Sequence, residues 1–164
     1  MPVSIFSCKE HQINSLNELD DQIQTLTDQQ KNLKASLGER QNRMKEINRQ
    51  REAIRNYSRT KDIYTQYRES GWSPKFYQEH REEIEKHKEA QTVYSLYDGK
   101  LPTLKELTAE YDALKEQIDD EKTKLAELKP KLTDLKHIRY NYDVLERDTA
   151  PIDHHNDRRR EKER

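Results

Sequence analysis

His80 and His87, flanked by Glu79 and Glu83, come closest in this sequence to a metal-ligating pattern. Imidazoles and carboxylates on one helical face can hold zinc, but the H-E-x-x-H spacing that does so is absent. His154 and His155 are adjacent, with Asp153 and Asp157 nearby. Neighbouring side chains point in different directions, so a solvated segment is the simpler account. Cys8 is the only cysteine, which leaves neither a disulfide within the chain nor a cysteine-based metal site. A tyrosine nucleophile needs a metal or an oriented base beside it, and the sequence places none next to its tyrosines. There is no phosphate-binding glycine loop, no G-x-S-x-G and no zinc spacing. Asp119-Asp120 lies in a charge-rich helix face, where solvation explains it. The expectation is a protein that is not an enzyme, with no cofactor, no metal and no small-molecule substrate.

The basic residues carry more information. Lys31, Lys34, Arg40, Arg43, Lys45, Arg49, Arg51, Arg55, Arg59, Lys61 and Arg68 outweigh Glu39, Glu46, Glu52 and Asp62 in the same stretch. The balance reverses further on, where Glu106, Glu110, Asp112, Glu116, Asp119, Asp120, Glu121 and Glu127 outweigh the lysines. Cations on a long helix can follow phosphates, with salt-dependent binding. They can also pair with the acidic segment, and their spread around the helix favours that account. Exposed pairs contribute only ~0.2–1 kcal/mol each, so they bias register more than they hold elements together. The candidate nucleic-acid contacts are Arg43, Lys45, Arg49, Arg55 and Arg59, with Arg158, Arg159 and Arg160 in the C-terminal run.

Two leucine-rich arms must position these charges. Leu16, Leu19, Ile23, Leu26, Leu33, Leu37, Met44, Ile47 and Ile54 recur at steps of three and four, with Gln30, Arg40 and Arg51 interrupting the stripe. Leu104, Leu107, Tyr111, Leu114, Ile118, Leu125, Leu128, Leu132 and Leu135 repeat the pattern. One narrow stripe per helix has to bury itself against another helix. The expected fold is all-α, an antiparallel coiled-coil hairpin with a small helical tip. Its parts are a lead-in over 1–12, a first arm over 13–69, a tip over 70–102, a second arm over 103–145 and a disordered charged tail over 146–164.

Local signals set these boundaries. Gly71 suits the left-handed position after a helix end, and Ser73 with Pro74 starts a middle helix expected to run to about Tyr97. Asp98-Gly99 is a turn signal, and Thr103 with Glu106 forms a capping box. Pro130 falls inside the second arm, where a kink rather than a break is expected because the stripe keeps its register beyond it. Tyr57, Tyr64, Tyr67, Trp72, Phe76, Tyr77, Tyr94 and Tyr97 cluster around the middle. They are expected to pack as a tip, with Tyr64, Tyr67, Trp72, Phe76 and Tyr77 the candidates for tip packing or docking.

The composition agrees. Of 164 residues, 30% are hydrophobic and 38% charged, too polar for a deep globular core. The mean hydropathy is -1.36, and the held register favours a coiled coil over a disordered chain. No apolar run approaches the ~20 residues of a membrane span, and the first residues lack a secretory pattern. A cytoplasmic protein without membrane contact is expected.

Residues 57–117 resemble the C-terminal region of mobilisation-protein relaxases of bacterial mobile elements. The resemblance rests on the tyrosine-spaced run before Gly71, the segment W-S-P-K-F-Y, the continuation E-H-R-E-E-I-E-K-H-K-E-A and the entry K-L-P-T-L-K-E-L. Such relaxases nick DNA with an N-terminal nuclease domain that uses a histidine-bound metal and a catalytic tyrosine. The H-x-H motif of that domain is missing here, so no catalytic residue carries over. The resemblance implies a non-catalytic coiled-coil interaction module whose partners would be DNA or relaxosome or coupling proteins; apart from the resemblance, self-association of the coiled coil is also expected. The alternative is a free-standing coiled-coil scaffold or dimerisation protein unrelated to DNA transfer.

Overall fold

The computed structural model describes residues 15–149. The expected lead-in over 1–12 and the charged run after residue 149 lie outside the described residues. Four helices follow in order: α1 (Leu16–Glu69), α2 (Pro74–Glu79), α3 (Arg81–Leu96) and α4 (Leu104–Thr149). The described residues contain no strand, and the all-α class holds.

The chain divides into two compact units. In the first, residues 15–32 of α1 pack on residues 124–149 of α4. Leu19, Leu135 and Ile138 are buried together, with Leu16, Ile23 and Leu26 against them. Leu128 and Leu132 continue the buried row of α4. Arg139 Nε donates to Asp20 Oδ1 at 2.7 Å, and its Nη1 donates to Asp143. The start of α1 therefore lies beside the end of α4, the antiparallel pairing that the two stripes predict.

In the second unit, residues 33–123, low numbers on α1 again meet high numbers on α4. Ser36 Oγ donates to Glu121 Oε1 at 2.7 Å, Arg40 Nη1 to Gln117 Oε1 at 2.8 Å, and Arg43 Nε to Glu110 Oε1 at 2.8 Å. Glu121 occupies the stripe position between Ile118 and Leu125 and is 8% exposed. The polar interruption at Arg40 is thus matched by a polar residue on the facing helix, through an Arg40 Nε–Glu121 Oε1 contact of 3.0 Å. Beyond it Ile47, Ile118 and Leu107 are buried. The half-buried Arg51 lays its guanidinium over the Tyr111 ring at 5.4 Å, so the second interruption is absorbed by a cation–π contact.

The connections follow local chemistry. Gly71 and Trp72 both take left-handed conformations, at φ 70° and 63°. The Trp72 amide reaches the Tyr67 carbonyl at 3.2 Å, and Ser70 Oγ donates to that same carbonyl while accepting from the Ser73 amide. Those bonds hold a non-glycine residue in a conformation it rarely adopts. Ser73 caps α2, with Pro74 in its first turn. The capping box of α4 forms as the sequence predicts, with Thr103 N to Glu106 Oε2 at 2.9 Å and Glu106 N to Thr103 Oγ1 at 3.2 Å.

Two boundaries differ from expectation. The middle helix is broken at His80, whose φ of −122° ends α2 and starts α3. The His80 ring packs on Phe76 at 4.5 Å, and its backbone amide still bonds the Phe76 carbonyl. The second arm does not stop at residue 145: α4 runs on to Thr149, so 146–149 belong to the helix and not to a tail. Loss of the apolar stripe does not end a helix. Pro130 is accommodated inside α4.

Leu135→Ala is expected to lower stability by ~2–5 kcal/mol in urea denaturation, and an unchanged midpoint would reject the buried seam. Gly38 lies inside α1, and a Cβ built there meets nothing within 4 Å. Gly38→Ala should therefore raise stability by ~0.4–1 kcal/mol, read as an upward shift of the thermal midpoint.

Candidate nucleic-acid interface

Pairing with α4 divides the cations of α1 into two sets. The inner set is committed within the unit. Arg40 bonds Glu121 and Gln117. Arg43 grips both carboxylate oxygens of Glu110, at 2.8 and 3.0 Å, and also pairs with Glu46 at 3.0 Å. These hydrogen bonds, that to Glu110 foremost, hold the Arg43 guanidinium above its ordinary pKa, and Arg43 in turn holds the Glu110 carboxyl below its ordinary value. Glu46 is lowered first by the Tyr97 hydroxyl, which donates to it, and then by Arg43. Arg43 is therefore removed from the candidate DNA contacts: its planar fork is already filled by a carboxylate.

The outer set is different. Lys45, Arg49, Arg55 and Arg59 are exposed, as is Lys34 earlier on the helix. None of the five takes part in an ion pair within the described residues. At about 100° per residue they fall within an arc of about 120°, on the side of α1 away from α4. Glu52 is the carboxylate on that arc; Glu39 lies off it. The stretch that looks evenly spread in sequence becomes one-sided once its inner arginines are paired. Lys34 was not among the sequence candidates, although its place on the arc was legible from helical period. Arg158, Arg159 and Arg160 lie outside the described residues.

The aromatic residues form a connected cluster in the same unit. Tyr67 lies at 5.1 Å from Trp72, 6.2 Å from Phe76 and 6.0 Å from Tyr77, measured between ring centroids. Tyr64 reaches Trp72 at 6.1 Å. The Tyr77 hydroxyl donates to Glu85 at 2.6 Å, lowering that carboxyl, while Lys88 lies over the Tyr77 ring at 5.3 Å. Tyr64, Tyr67, Phe76 and Tyr77 are half-buried, whereas Trp72 is 50% exposed. The first four are packed in this cluster, and Trp72 shows half its surface to solvent.

His87 is a buried polar residue at the centre of this cluster. It is 2% exposed and stacks between Tyr57 at 4.7 Å and Tyr64 at 4.3 Å. Its spacing from Ile84 and Ala90, both buried on α3, was the available signal. His80 and His87 do not converge on a metal, and no cluster of metal-ligating groups occurs among the described residues. No helix among the described residues is long and apolar enough to cross a membrane. Beside the arc, a groove of about 390 Å³ between α1 and α3 is lined by Arg49, Glu52, Ala53, Asn56, Glu89, Ala90, Thr92 and Val93. Its ionic groups, Arg49, Glu52 and Glu89, are of both signs, and Ala53, Ala90 and Val93 supply its apolar surface.

Compared with protein-family models, with curated proteins and with solved structures, the chain matches none.

The Arg43 network implies a direction with pH. Glu110 and Glu46 are lowered from an ordinary value of 4.5, so their contribution is present above that pH and is lost as pH falls through their folded values. Their side chains are each 42% exposed, so the contribution is small. Arg43→Ala should flatten the loss of thermal stability below about pH 4.5. An unchanged acid slope would show that the network has no such role.

Proposed function

We propose that this chain is a non-catalytic coiled-coil interaction module that contacts DNA through the outward cationic arc of α1. The observation that carries this reading is the separation of the α1 cations: Arg40 and Arg43 are paired with α4, while Lys34, Lys45, Arg49, Arg55 and Arg59 have no ionic partner in the described residues. Unpaired cations in a row cost self-repulsion that a polyanion relieves, and they release counterions from it on binding. The resemblance of residues 57–117 to the C-terminal region of mobilisation relaxases supports the choice of DNA as that polyanion. The mixed-sign groove and the packed tyrosines support a binding role over catalysis.

The test is fluorescence anisotropy with a labelled DNA duplex. Five phosphate contacts imply affinity falling a few hundredfold between about 50 and about 200 mM salt. Lys45→Glu with Arg49→Glu should weaken binding and flatten the salt slope by about two, whereas Glu52→Lys should tighten binding and steepen the slope by about one. Absence of binding at about 50 mM salt, or binding indifferent to these three changes, would overturn the proposal.

A further inference from the structure

We propose that His87 is an acid-operated latch on the packing of α3 against α1: neutral, it completes a three-ring layer with Tyr57 and Tyr64, and protonated, it loosens α3. The inference is independent of DNA binding. Both tyrosines come from α1, and their rings lie nearly parallel to the imidazole, at 28° and 19°. Thr60, one turn after Asn56, supplies the polar contact. Its single hydroxyl proton goes to the Asn56 carbonyl at 2.6 Å, so its oxygen accepts from His87 Nδ1–H at 3.0 Å. The neutral ring is thereby held as the Nδ1–H tautomer, and Nε2 is the atom that takes an added proton.

Among the described residues, no charged group pairs with that ring to receive the charge. The titratable groups facing the ring from α1 are Tyr57 and Tyr64, and Tyr94 of α3 touches the layer through Tyr57 at 5.2 Å. On its own helix Glu83 stands one turn back, and no carboxylate or cation from α1, α2, α3 or α4 is ion-paired with His87. The tyrosine faces offer a cation–π attraction, opposed by the loss of hydration at a site 2% exposed. Burial pushes the imidazole below its ordinary 6.5. Loss of hydration is thus the larger effect. The fold binds the neutral form preferentially, so the stabilisation is complete above about pH 6.5 and is lost as pH falls below it. Loosening α3 would uncover the faces of Tyr57 and Tyr64 and the small cluster of Ala53, Ala90 and Val93 that lies along the same contact.

The test follows the full chain from about pH 7.5 to about pH 4.5 by imidazole NMR and amide-exchange protection factors. The expected result is a His87 midpoint below 6.5 and α3 protection that falls by up to about tenfold per pH unit between 6.5 and that midpoint, levelling off beneath it. His87→Phe keeps a flat ring without a titrating proton and should leave α3 protection nearly level over the same range. A wild-type midpoint at or above 6.5, level α3 protection in the wild type, or an unaltered pH dependence in His87→Phe would overturn the latch. Should His87→Phe fail to fold, the wild-type midpoint and protection profile decide the matter.

Discussion

A narrow apolar stripe on an otherwise charged helix has one way to be stable in water, which is to lie along a second stripe of the same pitch. In this protein α1 and α4 meet that requirement in both compact units, and other features follow from it. The buried rows are thin: Leu19 with Leu135 and Ile138 in one unit, and Ile47, Ile118 and Leu107 in the other. Each fully buried aliphatic side chain contributes roughly 1.5–3 kcal/mol. A short list of residues therefore carries much of the stability, and the antiparallel order is set by which leucines can face one another.

The polar positions within the stripes are matched. Arg40 meets Glu121, Ser36 bonds the same carboxylate oxygen, and Arg51 lies over Tyr111. The Arg40–Glu121 pair is only partly buried, and such a pair adds little net stability over apolar residues of similar size, because desolvation offsets much of the attraction. Its stronger effect is on alternatives. Sliding α4 by one turn would leave Glu121 without Arg40 and set Arg40 against leucine, a cost that falls on the wrong register alone. The same pairing strips the inner face of α1 of free charge and leaves the outer face cationic. The separation of the two sets is a consequence of packing, although each residue involved is an ordinary lysine or arginine.

The aromatic region answers a different need. Where α1 loses its leucine stripe, Tyr57, Thr60, Tyr64 and Tyr67 take over, and α3 returns Ile84, His87, Ala90 and Val93 to them. Broad flat rings bury large areas over a short length of helix, so the small α3 is held by few residues. Trp72 marks the edge of this cluster, in a left-handed turn fixed by Ser70 and the Tyr67 carbonyl. Its exposed half contrasts with the half-buried tyrosines beside it. The substitution of histidine for a fourth apolar residue at position 87 makes the same contact responsive to acid.

Much of this was legible in the chain itself. The all-α class, the two arms, the Ser73-Pro74 start, the Asp98-Gly99 turn and the Thr103–Glu106 capping box depend on contacts between residues a few positions apart, and local spacing encodes those contacts. The break at His80 was not legible, because residues 75–97 contain no glycine or proline to mark it, and the Phe76–His80 and Tyr77–Glu85 contacts that accompany it are seen only in the folded structure. Nor was the division of the α1 cations, since a lysine and an arginine read alike until Glu110 and Glu121 approach from 67 and 81 residues away. His87 likewise became more than a polar residue on a helix when two tyrosines of α1 closed over it. Periodicity and capping act within a few turns of backbone and so are written in the sequence; charge neutralisation and burial depend on which distant side chains arrive, and only the tertiary structure decides them.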